Sequence, residues 1–110
     1  MKILIKQALD VLKALADESR LKILEILYDG EKSSKDIEDG LGKCQSTTSQ
    51  HLKMLVEKQL VTSRQDGLKK YYTIKVEVVD FIAALDLLVR QINKHQSDIM
   101  AEHEIRDTLL

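Results

Sequence analysis

A chain of 110 residues with 44% apolar and 32% charged side chains suits one soluble globular domain, expected to span residues 1–110. The net charge of −1 gives by itself no sign of a nucleic-acid partner, and the lack of a run of ~18 apolar residues excludes a membrane-spanning helix. Cys44 is the single cysteine, which rules out an intrachain disulfide and suits a reducing cytoplasm.

The chain has no proline and only four glycines, so a mostly helical architecture is expected, with a core of Leu, Ile and Val because only four aromatics are present. The opening Met1–Lys6 is interrupted by Lys6 and lacks a small-residue cleavage pattern, so it reads as helix rather than signal peptide. Residues 3–15 place Ile5, Leu9, Leu12 and Leu15 on one helical face. Asp17 is a cap for a second helix, with Glu18 in its positive first turn, an apolar stripe of Leu21, Ile23, Leu24 and Leu27, and Asp29-Gly30 at its end. Ser33 caps a short third helix with Ile37 and Leu41, closed by Gly40 and Gly42.

A fourth helix runs from about residue 45 to 57, with Thr48, Leu52, Leu55 and Val56 on its inner face. The period then changes: Leu60–Gln65 and Leu68–Ile74 flank Asp66-Gly67, a hairpin signal over about residues 60–74. One long helix closes the chain from about 76 to 106. Two short helices separated by Gly42-Lys43-Cys44 and followed by a hairpin match a helix-turn-helix with a wing.

Charge follows this plan. Residues 1–42 carry a net −2, residues 43–75 a net +5 and residues 76–110 a net −4. A basic segment between acidic ones aims an anionic polymer at one face, although local fluctuation on a solvated surface gives the same pattern. The fourth helix adds a chemical signal: Gln45-Ser46-Thr47-Thr48-Ser49-Gln50 is rich in mediocre helix formers and has no carboxylate until Glu57. Such side chains suit short hydrogen bonds to phosphates and base edges; Gln50, central on the outward face, is able to pair with adenine in two places, and Lys53 reaches phosphate or guanine. A merely solubilising face is the alternative, although Glu and Lys are its usual choice. Arg64, Lys69 and Lys70 cluster around the hairpin tip, where they either contact the DNA backbone or protect an edge strand, or both.

Asp17-Glu18-Ser19-Arg20-Leu21-Lys22-Ile23-Leu24 resembles the second-helix signature of ArsR/SmtB-like repressors. Gln45 to Leu55 is similar to their recognition helix, and Leu60-Val61 with Gly67 to Ile74 to their wing. The resemblance covers about residues 8–75. It implies a homodimer that places two recognition helices in successive major grooves of double-stranded DNA and represses until a small signal binds. By position it implies DNA contacts from Ser46, Thr47, Ser49, Gln50 and Lys53, with Gln45 at the helix start; His51 flanks that face and has either a DNA contact or a core or capping role.

In the last helix Val78, Ile82, Leu85, Val89, Ile92, Gln96, Ile99 and His103 recur with alternating steps of four and three, a heptad seam that Phe81 and Leu88 broaden. A chain this small cannot easily cover such a helix, so the N- and C-terminal helices are expected to pair two copies; packing within one chain is the alternative.

No cofactor or metal is expected. The Cys-x-Cys pair of the family's thiolate site is missing between Ser33 and Leu41. The family's second metal pattern, Asp-x-His followed by His-x-x-Glu, is replaced by Asn93-Lys94-His95 and His103-Glu104-Ile105-Arg106, which leaves His95, Glu102 and His103 as weak candidates. Cys44, at the start of the recognition helix beside Lys43, is either a redox-sensitive thiol or an inert capping-region residue. No phosphate loop, nucleophile motif or paired-carboxylate cleft suggests an enzyme. A metal- or thiol-sensing derepressor of the same fold and a helical interaction module without DNA binding remain as other readings; the effector is not named by the sequence.

Overall fold

The computed structural model describes residues 1–109, with side chains as far as residue 101. The elements are α1 (Ile5–Leu15), α2 (Glu18–Leu27), β1 (Lys32–Ser33), α3 (Ser34–Leu41), α4 (Gln45–Glu57), β2 (Val61–Asp66), β3 (Lys69–Ile74) and α5 (Val76–Leu109). The chain divides into two compact units, Met1–Val76 and Glu77–Leu110.

In the first unit the helix ends follow from local chemistry. Asp17 is extended and its carboxylate accepts from the Arg20 backbone N–H at 3.0 Å, so α2 starts on a satisfied cap. The Ser33 hydroxyl accepts from the Asp36 N–H at 3.1 Å and starts α3 in the same way. Gly42, at φ +72°, ends α3 in the left-handed conformation that a side chain disfavours. Gly40 serves packing instead. A Cβ there would lie 3.0 Å from Ile26 Cδ1, so its bare backbone lets α3 approach α2. The fourth helix closes with Gln59 at φ +61°; the N–H of Leu60 reaches the Leu55 carbonyl and that of Gln59 the Val56 carbonyl, both at 2.9 Å. That is the bonding of a Schellman cap with glutamine where glycine is usual.

The core joins three helices to the sheet. Ile23, Leu24 and Leu27 from α2, Ile37 from α3 and Leu52 and Leu55 from α4 are buried, with Val61, Tyr72 and Ile74 from the strands. Each fully buried aliphatic side chain contributes roughly 1.5–3 kcal/mol relative to exposure. Thr48 is buried among them, as the inner-face spacing predicts. By contrast Ile5, Leu9 and Leu12 of α1 remain exposed, and only Ala14 and Leu15 of that helix are buried.

The sheet is antiparallel with strand order β1-β3-β2, one strand more than the expected hairpin. Strand β1 is two residues long, too short to show alternation in a sequence, and is held by the pairs Lys32–Tyr72 and Ser33–Tyr71. The hairpin turn lies one residue later than its Asp66-Gly67 signal suggests. Asp66 pairs with Lys69, which leaves Gly67-Leu68 as the two-residue turn, with Gly67 at φ +63°. Directly paired residues share a face and neighbours along a strand alternate. Ser63, Gln65, Lys70 and Tyr72 therefore lie on one face, and Thr62, Arg64, Tyr71 and Thr73 on the other.

The second unit consists of α5. At 34 residues and 1.5 Å rise it is about 50 Å long. Phe81, Leu88, Val89, Ile92 and Ile99 are exposed along it, so much of the heptad seam is uncovered in the single chain. No helix among the described residues is long and apolar enough to cross a membrane.

Candidate nucleic-acid interface

The three-residue link Gly42-Lys43-Cys44 turns the chain from α3 into α4. Burial of Thr48, Leu52 and Leu55 fixes which side of α4 faces inward. The opposite side then carries Ser46, Ser49, Gln50 and Lys53 to solvent, because residues three and four apart share a helical face. Among the described residues, the side chains of Gln45, Ser49, Gln50 and Lys53 make no hydrogen bond or ion pair.

Between α4 and the sheet lies a cleft of about 700 Å³. Gln45, Ser49 and Lys53 line it from the helix, and Ser63, Gln65 and Lys70 from the sheet face that holds Tyr72. Glu38 and Glu57 also border it, so the cleft is polar and of mixed charge. Ser63 and Gln65 have no distinguishing signal in the sequence; only strand register turns them toward α4. The Thr48 hydroxyl at the cleft wall is buried and has no hydrogen-bond partner among the described residues.

Not every expected DNA-facing residue belongs to this surface. His51 turns toward α2: its Nδ1 is 3.4 Å from an Arg20 guanidinium nitrogen and 3.9 Å from the Asp17 carboxylate. Arg20 in turn donates to the carbonyls of Lys13 and Ala14, so His51 meets the junction where α1 ends and α2 begins. The Asp17 carboxyl is held below its ordinary pKa, chiefly by the N–H of Arg20. Arg64 points to the sheet face away from the cleft and is gripped by Glu31. Lys69 and Lys70 are exposed at the wing tip and make no ion pair among the described residues.

Cys44 stands exposed at the N-cap position of α4 without a side-chain capping bond, its Sγ 3.3 Å from both the Ser46 and the Thr47 hydroxyls. Hydroxyls that donate to the thiolate stabilise it, Ser46 foremost and then Thr47, and bring the thiol down to about 7. Among the described residues no group of three or more His, Cys, Asp or Glu side chains is placed to hold a metal ion. His95 is exposed on α5, and the side chains of Glu102 and His103 lie outside the described residues.

Helix-turn-helix, hairpin wing and outward polar helix together define a winged helix-turn-helix transcription regulator. The sequence profile of the bacterial regulatory protein, arsR family, matches residues 17–63. The chain is 40% identical over 77 residues to the arsenical resistance operon repressor of Staphylococcus aureus, covering 70% of this chain and 74% of that protein. It is 38% identical over 89 residues to the transcriptional activator HlyU of Vibrio cholerae, covering 80% of this chain and 82% of that one. Its fold is similar to a homodimeric winged helix-turn-helix DNA-binding domain from Mycobacterium bovis, with a TM-score of 0.78 and 32% identity over 84% of this chain and 86% of that chain. The chain belongs to the ArsR family of bacterial regulatory proteins.

Proposed function

We propose that this protein is a homodimeric repressor that reads double-stranded DNA with α4 in the major groove and holds the phosphate backbone with its wing. The observation that carries this reading is the outward face of α4: the exposed side chains of Gln45, Ser49, Gln50 and Lys53, without partners among the described residues, beside a cleft whose far wall is the wing. Gln50 and Ser49 are the base-reading candidates, with Gln45, Ser46 and Thr47 at the helix start. Lys53, Lys69 and Lys70 supply phosphate contacts, which fix register without reading sequence. The Staphylococcus aureus relative is named a repressor, which supports repression; the Vibrio cholerae relative is named an activator.

The exposed apolar residues of α1 and of α5 support dimerisation, because each forms a surface that the single chain leaves wet. The homodimeric Mycobacterium bovis neighbour supports it further. Two recognition helices about 34 Å apart then match successive major grooves.

The test is selection of bound sequences from a random duplex pool, followed by titration of the selected DNA over a range of salt. Phosphate contacts release counterions, so log affinity should fall linearly with log salt. A protein that retains no sequence from the pool at low salt is not a DNA reader. Sedimentation at micromolar concentration checks the assembly: a dimer is expected for the wild type, with loss of the dimer on Leu85→Asp and Ile92→Asp. A stable wild-type monomer would remove the dimer from this reading.

A second reading, favoured by the hydrogen bonds at Cys44, adds thiol sensing. Oxidation of this single exposed thiolate to a sulfenate by a peroxide places new bulk where α4 approaches DNA. DNA titration before and after mild peroxide, for wild type and Cys44→Ser, decides it; equal affinity of both wild-type forms, with modification confirmed by mass, leaves Cys44 a structural residue.

A further inference from the structure

Arg64 is a prominent cation of the wing, and its surroundings give it a role other than DNA contact. Its Nε and Nη2 donate to the two carboxylate oxygens of Glu31 at 2.8 and 2.7 Å. Its guanidinium carbon sits 4.5 Å above the centre of the Tyr71 ring, the residue directly opposite it on β3. The Thr73 hydroxyl, next along the same face, lies 3.4 Å from the same carboxylate and donates to it. Glu31 immediately precedes β1, so this one carboxylate ties the start of one edge strand to the other edge strand, across the middle of the sheet. Both charges are matched, both carboxylate oxygens are occupied and the stacked ring fixes the plane of the guanidinium. This is the planar, two-pronged geometry that distinguishes arginine from lysine.

The placement matters because of the register. The tied face is the one turned away from the cleft, while Lys70, Gln65 and Ser63 on the opposite face look toward α4. A two-stranded hairpin alone is marginally stable and free to twist. Bracing its outer face holds the inner face at a set angle to α4. We propose that Glu31 is a positioning residue for DNA binding, acting through Arg64 as a strut that sets the wing against the recognition helix, and that Arg64 is not a phosphate ligand. The inference rests on the DNA-binding reading above and adds a role for an acidic residue in it.

Simple electrostatics and the strut predict opposite signs. Removing a carboxylate near a polyanion, and freeing an arginine beside it, should tighten binding if charge alone mattered. The strut predicts that Glu31→Gln weakens binding to the selected DNA by about fivefold, the scale of a well-formed exposed ion pair. Arg64→Lys separates the roles again. It keeps the positive charge, so a single-point phosphate contact would lose little, whereas a strut loses its second hydrogen bond and its stack and should weaken binding to a similar degree. The double variant Glu31→Gln with Arg64→Lys should be no worse than either single change, and the exchanged pair Glu31→Arg with Arg64→Glu should recover part of the affinity. Thermal melts of each variant verify that it is folded, and Arg64→Lys serves where Glu31→Gln does not fold. Unchanged or tighter binding by Glu31→Gln, or near-wild-type binding by Arg64→Lys, overturns the proposal. Wild-type protein that binds no DNA overturns instead the reading on which it rests.

Discussion

The recognition helix and the wing carry similar polar and basic residues into solvent, yet the chain treats them differently. On α4, Gln45, Ser49, Gln50 and Lys53 stand on a backbone anchored by Thr48, Leu52 and Leu55 and have no partners among the described residues. On the wing, Arg64 is held by two neighbours, Glu31 and Tyr71, while the tip lysines make no ion pair among the described residues. A helix is rigid through its own backbone bonds, so its outer side chains can remain available for a ligand. A hairpin lacks that rigidity, and some of its polar side chains are used to brace it. An exposed arginine is thus not automatically a ligand; what it already touches decides its role.

The sharpest way to break this contrast is to undercut the helix. Leu52→Ala leaves a cavity beneath α4 and should cost about 2–5 kcal/mol in denaturant unfolding, with loss of DNA binding at temperatures where the wild type is folded. A loss below about 1 kcal/mol would mean that α4 is not seated by its inner face. Next in size is Gln50→Ala, which should weaken selected DNA by roughly 1–3 kcal/mol while barely affecting random duplex. Lys70→Ala should instead weaken both alike and reduce the salt slope by about one. If the two variants behave the same way, helix and wing do not divide the work into reading and holding.

A smaller effect is expected at Thr48, whose buried hydroxyl lacks a partner among the described residues. Thr48→Val keeps the shape and removes the unsatisfied group, so the protein should become more stable by about 1 kcal/mol in denaturant titration. Destabilisation there would reveal a bound water or ligand group that the hydroxyl serves. The smallest effect concerns Cys44. Its folded pKa is below the ordinary value, so thiolate accumulates as pH rises through about 7 rather than about 9. Iodoacetamide labelling should reach half its maximal rate near pH 7, and Ser46→Ala should move that midpoint upward because the leading hydrogen bond is lost. The same depressed pKa means that this group favours the folded state most at high pH, with that contribution lost as pH falls through about 7. A labelling midpoint that stays near 9 would exclude a stabilised thiolate.

Much of the molecule is legible in the residues alone. Asp17 and Ser33 mark helix starts because short polar side chains satisfy free N–H groups, a local matter that neighbours in sequence decide. The inner face of α4 is readable from spacing, and its outer face from the choice of Ser, Thr and Gln over Glu and Lys. The seam of α5 is readable for the same reason, since helical periodicity is written within a single segment.

What the sequence alone leaves open involves contacts between distant segments. Strand β1 exists only because Lys32 and Ser33 meet Tyr72 and Tyr71 some forty positions later. The turn falls at Gly67-Leu68 because the register that buries Val61 and Ile74 together requires Asp66 to pair with Lys69. The inward turn of His51 depends on Arg20, and the commitment of Arg64 depends on Glu31, residues 31 and 33 positions away. Periodicity and capping are properties of one segment of backbone and can be read along it. Whether a charged side chain is available or already engaged is a property of the space around it, which only the folded chain defines.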